Sequence, residues 1–525
     1  MLFSASLSLL PLLPLGFVSA NPVTPRALYG APSFVNKTEC NGKTYIYEEL
    51  AGWGLLASDA RDKFGDTIGG IGSAIALEKK SWKKKDGKDE AYVGIVYGLP
   101  DRGWNTQGTQ NTQSRIHKFS FTFEIVSDAT AAKPAKPNFQ LQYLDTILLS
   151  GPDGTPVTGL DADVTGSASF KGFPDLPVAT YTGDGFGGAG PGGKRISIDA
   201  EGLVLGDDDT FWVSDEYGPY IYQFDKKGKM VQAIRPPDAL IPIRNSTQSF
   251  NAASPPIYDT DRKTVPESPE TGRGNNQGLE ALTASPDGKY LYALLQSATT
   301  QEGGDKSATR RNTRFLKYRV KTKEITYEAE YIVQLPIVPS SGKTAGQSEI
   351  HYITEDQFLV LARDSGAGHG QDESFSQYRN ADVIDISKAT NIKGKDNDSF
   401  KGAVATRKGE LNADIKPATY CPWLSYNNNE QLNRFGAHNG GAQDAGLLNE
   451  KWESFALAPV DNKFETKGDG DEFYLISFSD NDFITQNGYI NGGKNKYADE
   501  SGFNLDTQIL VFKVRLPKGA KPLLP

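Results

Sequence analysis

Apolar residues alternate with polar ones in short runs along most of the chain, and the runs come in pairs separated by Gly, Asp and Asn turns, which predicts strands joined as hairpins. The clearest pair is Ile198 to Leu205 followed by Thr210 to Glu216, a strand that begins in carboxylates, a turn, and a strand that ends in carboxylates. The pattern returns at Gly278 to Leu282 with Tyr290 to Gln296, at Ser348 to Ile350 with Phe358 to Asp364, and at Trp452 to Leu457 with Phe473 to Asp480. An earlier hairpin closes on Ala91 to Tyr97 and runs into Asp101-Arg102-Gly103. In an up-and-down hairpin the start of one strand and the end of the next share a rim, so these acidic residues are expected on one face. Repeated hairpins of this kind predict an all-β fold, a β-propeller of five to seven blades with long loops on one face. Five blades are legible, and Asn391 to Gly446 reads as irregular.

A propeller absorbs 525 residues into one closed ring, because each blade adds its own piece of core. The expected division is a signal peptide at 1–20, an N-terminal segment with an opening strand at 21–66, the propeller at 67–516 and a C-terminal tail at 517–525. Residues 1–20 are apolar and end in Val18-Ser19-Ala20, small residues of the kind a signal peptidase reads, with an uncleaved anchor as the alternative. No later stretch is long and apolar enough to span a bilayer as a helix, so a secreted protein free of the membrane is expected. In that compartment Cys40 and Cys421 are expected to form a disulfide between the N-terminal strand region and a loop in the last third of the chain. The sequons at Asn36, Asn245 and Asn397 are candidate N-glycan acceptors.

A net charge of -9 argues against nucleic acid as a partner. It also sharpens the question posed by the rim. Asp101, Glu201, Asp215, Glu216, Glu280, Glu349, Glu453, Asp480 and Asp482 would repel one another around one channel mouth unless a cation, protons or basic side chains intervene. Oxygen-only, loop-borne donors suit a hard cation, and Ca2+ is the expected ion. Each glutamate has a second reading, as a cap on neighbouring backbone amides. Arg102, Lys194 and Arg363 adjoin the same rim; they pair with the carboxylates or, once a metal neutralises those, bind an anionic substrate. No Gly-x-Ser-x-Gly elbow occurs, and none of the four His residues has metal-ligand spacing, so no catalytic residue can be assigned. The letters of a dinucleotide-binding loop at Gly185 to Gly190 precede Pro191 and a strand instead of a helix, and read as a loop.

Taken in order, these motifs resemble the secreted phytase-like family described as "esterase-like activity of phytase". The residues that carry the resemblance are Gly69 to Ser73 with Asp101-Arg102-Gly103, Glu201-Gly202 with Ser214-Asp215-Glu216, Gly278-Leu279-Glu280 with Ser285 to Gly288, Ser348-Glu349-Ile350 with Arg363, and Glu453 to Ala456 with Ser479 to Asp482. The sequence departs from the pattern where Ser454 follows Glu453 in place of Gly and where Asp364 follows Arg363. The resemblance implies hydrolysis of a small anionic phosphoester at a calcium-dependent propeller mouth. Two other functions remain open on the residues: a non-catalytic extracellular propeller that binds a partner at the same mouth, and a propeller lactonase or esterase.

Overall fold

The computed structural model describes residues 34–321, 324–461 and 471–524. The expected signal peptide at 1–20 lies outside the described residues. The strands form up-and-down antiparallel sheets. Blade two is Ala200–Leu205, Phe211–Asp215, Ile221–Phe224 and Met230–Ile234. Blade three is Leu279–Ala284, Tyr290–Leu295, Asn312–Lys321 and Glu324–Gln334. Blade four is Gly346–Tyr352, Gln357–Arg363, Arg379–Asp385 and Thr419–Ser425. A larger sheet resolves into two more blades, which meet through a parallel bridge between Gly54 and Phe139. Blade one is Ala74–Leu77, Lys88–Leu99, Arg115–Glu124 and Phe139–Leu148; blade five is Ala456–Pro459, Asp471–Asp480, Thr507–Leu516 and Lys43–Leu56.

The packing closes these five sheets into a ring, because each neighbouring pair shares its own buried apolar cluster. Ala74 and Ile116 of blade one pack with Ala200 and Val213 of blade two. Val204 and Trp212 pack with Leu282 and Leu291, Leu294 and Phe315 with Ile350 and Val360, and Leu359 and Val383 with Leu457 and Leu475. Ile476 and Val511 of blade five then meet Ile75 and Phe119 of blade one. Each blade thereby buries both faces, which removes the exposed sheet faces that an isolated four-stranded sheet would show to water.

Two expectations are corrected. The strand Lys43–Leu56, read as an opening strand ahead of the propeller, is hydrogen-bonded to Thr507–Leu516 and completes blade five, so the ring starts well before residue 67. The stretch Asn391 to Gly446 is not all irregular, since Thr419–Ser425 is the outer strand of blade four. Cys421 therefore sits in a strand and not in a loop. It is disulfide-bonded to Cys40, with Cα atoms 5.8 Å apart. Cys40 ends the short strand Asn36–Cys40 that pairs outside Lys43–Leu56, so the bond links the outer edges of blades four and five. The tail packs back onto the ring: Ala520 and Leu523 are buried, and the Pro522 carbonyl oxygen lies 2.7 Å from His351 Nε2 on the inner strand of blade four.

Of the three sequon residues, Asn245 is exposed in a turn between Ile243–Arg244 and Thr247–Gln248. Asn36 and Asn397 are half-buried, and their amides donate to the carbonyl oxygens of Trp423 and Ile392.

Candidate functional site

A β-bulge at the rim end of the inner strand sets the site. In blade two the register jumps between Ala200 and Leu203, leaving Glu201 and Gly202 out of step. In blade three it jumps across Glu280. In blade five Trp452 pairs with Ser479 and Ala456 with Ile476, so Glu453, Ser454 and Phe455 oppose only Ser477 and Phe478. A bulge bends the strand and re-aims the extra side chain, and it does so here with glutamates that are all buried. Ser454, which departs from the family's Gly, bridges the gap: its hydroxyl accepts from the Phe478 N–H and donates to the Phe478 carbonyl. Blade four is different because its bulge falls on Ser348. There Glu349 Oε1 accepts from the backbone N–H groups of Leu282 and Ile350, and it caps the neighbouring blade.

Close approach between blades brings the carboxylates together. A Cβ on Gly278 would lie 2.3 Å from the Glu216 carbonyl oxygen, and one on Gly72 would lie 2.1 Å from the Ser479 carbonyl carbon. Only glycine allows blades two and three, and five and one, to meet this tightly at the rim.

The carboxylates form two groups. In one, Asp101, Asp480 and Asp482 each present an oxygen within 4.8 Å of the others; in the other, Asp199, Glu201 and Glu216 do the same. The first group contains its own counter-ion. Lys451 Nζ lies 3.0 Å from Asp480 and 2.7 Å from Asp482. Burial opposes the charge on Lys451, but Asp480 and Asp482 outweigh it and hold the ammonium protonated. Among the described residues the second group is ion-paired by Arg102, whose Nη1 lies 3.1 Å from Asp199 Oδ2 and whose backbone N–H donates to Asp199 Oδ1. Arg363 is taken by Glu453 and, at 3.6 Å, Glu450.

Glu216 is left over. Both of its oxygens are buried without a hydrogen-bond donor among the described residues, and so is Oε2 of Glu280. The two carboxyl groups face each other and can bond only through a proton. Burial, then the Asp199 charge, pushes the Glu216 carboxyl up to about 7. Burial followed by neighbouring carboxylates also raises Glu201, Glu280 and Asp101 well above the ordinary range.

The remaining candidates fall outside this arrangement. Asp215 accepts from the N–H groups of Asp199, Tyr217 and Gly218 and from the Tyr222 hydroxyl, so its oxygens are occupied in bracing the rim turn. Lys194 is exposed on the ribbon formed by Val178–Tyr181 and Gly193–Ile196. Two residues absent from the expected set are central, Asp199 and Lys451. Asp199 stands two positions before Glu201, and strand neighbours at that spacing share a face, which was a usable signal. Lys451 had none, since a lone lysine before a tryptophan resembles a solvated edge.

Lys451→Met is expected to strand the carboxylates of Asp101, Asp480 and Asp482 without their charge partner and to lower stability by about 3 kcal/mol. Millimolar Ca2+ should return much of that loss. Thermal unfolding in EDTA and in Ca2+ checks both, and a variant that melts like the parent in EDTA would refute the neutralising role.

The family model described as "esterase-like activity of phytase" matches residues 94–483, a span that contains both carboxylate groups. The chain belongs to the phytase-like family. An uncharacterized secreted protein of Arthroderma benhamiae is 53% identical to this phytase-like chain over 464 residues, covering 86% of this chain and 90% of the relative. The phytase-like protein is secreted, and no helix among its described residues is long and apolar enough to cross a membrane. Solved structures similar to it include a luciferin-regenerating enzyme, at 10% identity and TM-score 0.26 over 90% of this chain and 99% of that one. Another is the Dos1 propeller, at 11% identity and TM-score 0.24 over 88% and 95%.

Proposed function

We propose that the protein hydrolyses phosphoesters at the channel mouth with the help of a divalent cation, for which Ca2+ best fits the donors. The observation that supports this reading is the buried cluster of Asp199, Glu201 and Glu216, in which, among the described residues, Glu216 has no donor other than a proton shared with Glu280. Leaving such a group without a partner costs several kcal/mol unless a proton or a cation satisfies it. An all-carboxylate set borne on bulges and turns suits an ion that accepts six to eight oxygens in adaptable geometry. Asp199, Glu201 and Glu216 would hold it. A cation there would polarise a phosphoryl oxygen and lower the pKa of bound water.

The other residues have assignable tasks. The Nε–H groups of Arg102 and Arg363 are buried and lack an acceptor among the described residues, so each has a charged donor ready for an anionic oxygen. Glu280, whose carboxyl is pushed well above the ordinary range by burial and by Glu216, would act as the acid that protonates the leaving oxygen as the phosphorus–oxygen bond breaks, while the water that adds to phosphorus gives up its proton to solvent. Lys451 is committed to Asp480 and Asp482 and offsets part of the negative charge of that wall.

The test is hydrolysis of a set of phosphomonoesters, carboxylic esters and lactones before and after dialysis against EDTA, followed by addition of Ca2+. Phosphomonoester turnover should vanish with the chelator and return with the ion. Full activity in EDTA removes the metal. Thermal stabilisation by Ca2+ without turnover of any ester would make the protein a binding propeller, and turnover confined to lactones would make it a lactonase.

A further inference from the structure

Beside the carboxylate mouth lies a cleft of about 450 Å³, built from loops between strands of blades one and five and from the Val178–Tyr181/Gly193–Ile196 ribbon that follows blade one. Its walls include Trp104, Tyr181, Phe186, Phe483 and Tyr489. The cleft and the mouth share a partition. A Cβ on Gly69 or Gly70 would run into the Phe483 ring, at 2.6 and 2.7 Å, and one on Gly70 would also lie 3.4 Å from Asp101 Oδ1, so Phe483 and Asp101 flank the same glycine turn. Phe483 directly follows Asp482, and Trp104 stands two residues beyond Arg102. Trp104 is fixed by stacking on Tyr497 with ring centroids 4.1 Å apart and by donating to Asp499, so this wall is rigid before any ligand arrives.

The charge of the cleft narrows its ligand. Its cations are Arg115 and Arg195, and its carboxylates are Asp66 and Asp184. Arg115 is fully engaged, at 2.7 Å from Asp62 and 2.9 Å from Asp66. Arg195 has no ion-pair partner among the described residues; it donates to Asn111 Oδ1 at 3.1 Å and lies 5.5 Å from the centre of the Tyr181 ring. Arg61 lies over the Tyr489 ring of the cleft wall, 3.1 Å from its centre, so two guanidinium groups at most stand against two carboxylates, too few to neutralise a polyanion whose further phosphates would enter uncompensated. Aromatic faces interleaved with amides and hydroxyls, including the buried and unpartnered Thr112 Oγ1, suit a neutral ring that carries hydroxyl groups.

The geometry points to this cleft as the subsite for the organic part of the ester, a neutral hydroxylated ring of the sugar type, so that the substrate is a sugar-like monophosphate and not a polyphosphorylated ring. The inference rests on the proposed phosphoester hydrolysis for its catalytic consequence but not for binding. Tyr181 and Phe186 are half-buried cleft residues outside the catalytic set, and the experiment uses Tyr181→Ala and Phe186→Ala in the full chain. Glucose 6-phosphate is expected to be hydrolysed with a KM roughly tenfold higher in each variant and an unchanged kcat. Methyl phosphate, which has no ring, should show the same constants in parent and variants. Inositol hexakisphosphate should be a poorer substrate than glucose 6-phosphate. Equal losses on methyl phosphate, or a preference for the hexakisphosphate, would overturn the assignment. Saturable binding of methyl glucoside, measured by ligand-observed NMR in the presence of Ca2+ and weakened in both variants, tests the cleft without turnover. If no ester is hydrolysed but methyl glucoside binds as expected, the functional reading fails and the subsite stands; if methyl glucoside does not bind, the subsite fails whatever the catalytic result.

Discussion

Glu216→Gln is expected to stabilise the metal-free protein while abolishing its response to Ca2+ and nearly all of its hydrolysis. The opposite signs follow from one cause. Glu216 is buried beside Asp199, Glu201 and Glu280, and among the described residues its only donor is a proton shared with Glu280, so its charge is unfavourable until a cation arrives. Glutamine keeps the shape and removes that charge, but it also takes away one anionic ligand. Losing the polarising ion removes several kcal/mol of transition-state stabilisation, a fall of about a thousandfold in turnover.

The pH dependence gives the same carboxyl a second readout. Its folded value of about 7 lies above the unfolded value of a glutamate, so in EDTA the folded state holds the proton more tightly. The stability penalty is absent below the unfolded value and grows as pH rises through 7, reaching roughly 3 kcal/mol in the parent. The parent should therefore lose stability between pH 5 and pH 8 in EDTA, and Glu216→Gln should lose distinctly less. Parallel melting curves for the two proteins across that range, or full Ca2+ stabilisation of the variant, would rule out Glu216 as the unsatisfied ligand.

The acidic rim was legible because its residues repeat: the hairpin pattern placed Glu201, Glu280 and Glu453 at equivalent strand starts, and the bulges then turned all of them to the mouth. The same pattern put Asp215 and Glu349 in that set without showing that backbone donors engage their oxygens, because that occupancy depends on turn geometry the letters do not carry. Glu349 differs from Glu280 only in that the register slips at the residue before it. Blade count was readable to within a range, but closure was not. Lys43–Leu56 pairs with Thr507–Leu516 across almost the whole chain, and no local signal announces a partner so distant. Lys451 was invisible for a related reason, because its two partners come from the end of a different strand, Asp480, and the turn just beyond it, Asp482.

That long-range closure sets the scale of the last expected result. The Cys40–Cys421 bond spans 381 residues, and both sulfurs are packed among the apolar residues between blades four and five. Cross-linking so long a loop restricts the unfolded chain far more than a short one would, and the entropy model puts the stabilisation at about 6 kcal/mol before any native strain is subtracted. Against a typical domain stability of about 5 to 15 kcal/mol this is a large share. The double variant Cys40→Ser, Cys421→Ser should therefore melt well below the parent, while its Ca2+ response and ester preference stay the same, because the bond lies at the outer edges of the blades and the carboxylates lie at their inner ends. The first place to open should be the N-terminal strands. Asn36–Cys40 is held otherwise by its hairpin with Lys43–Leu56 and by polar contacts such as Thr38 to the Pro422 carbonyl. Hydrogen exchange should accelerate most across residues 36–56 and in the paired strand Thr507–Leu516. A double variant with the parent's melting temperature and exchange pattern would mean that strand pairing in blade five closes the ring unaided, with the disulfide adding no measurable constraint.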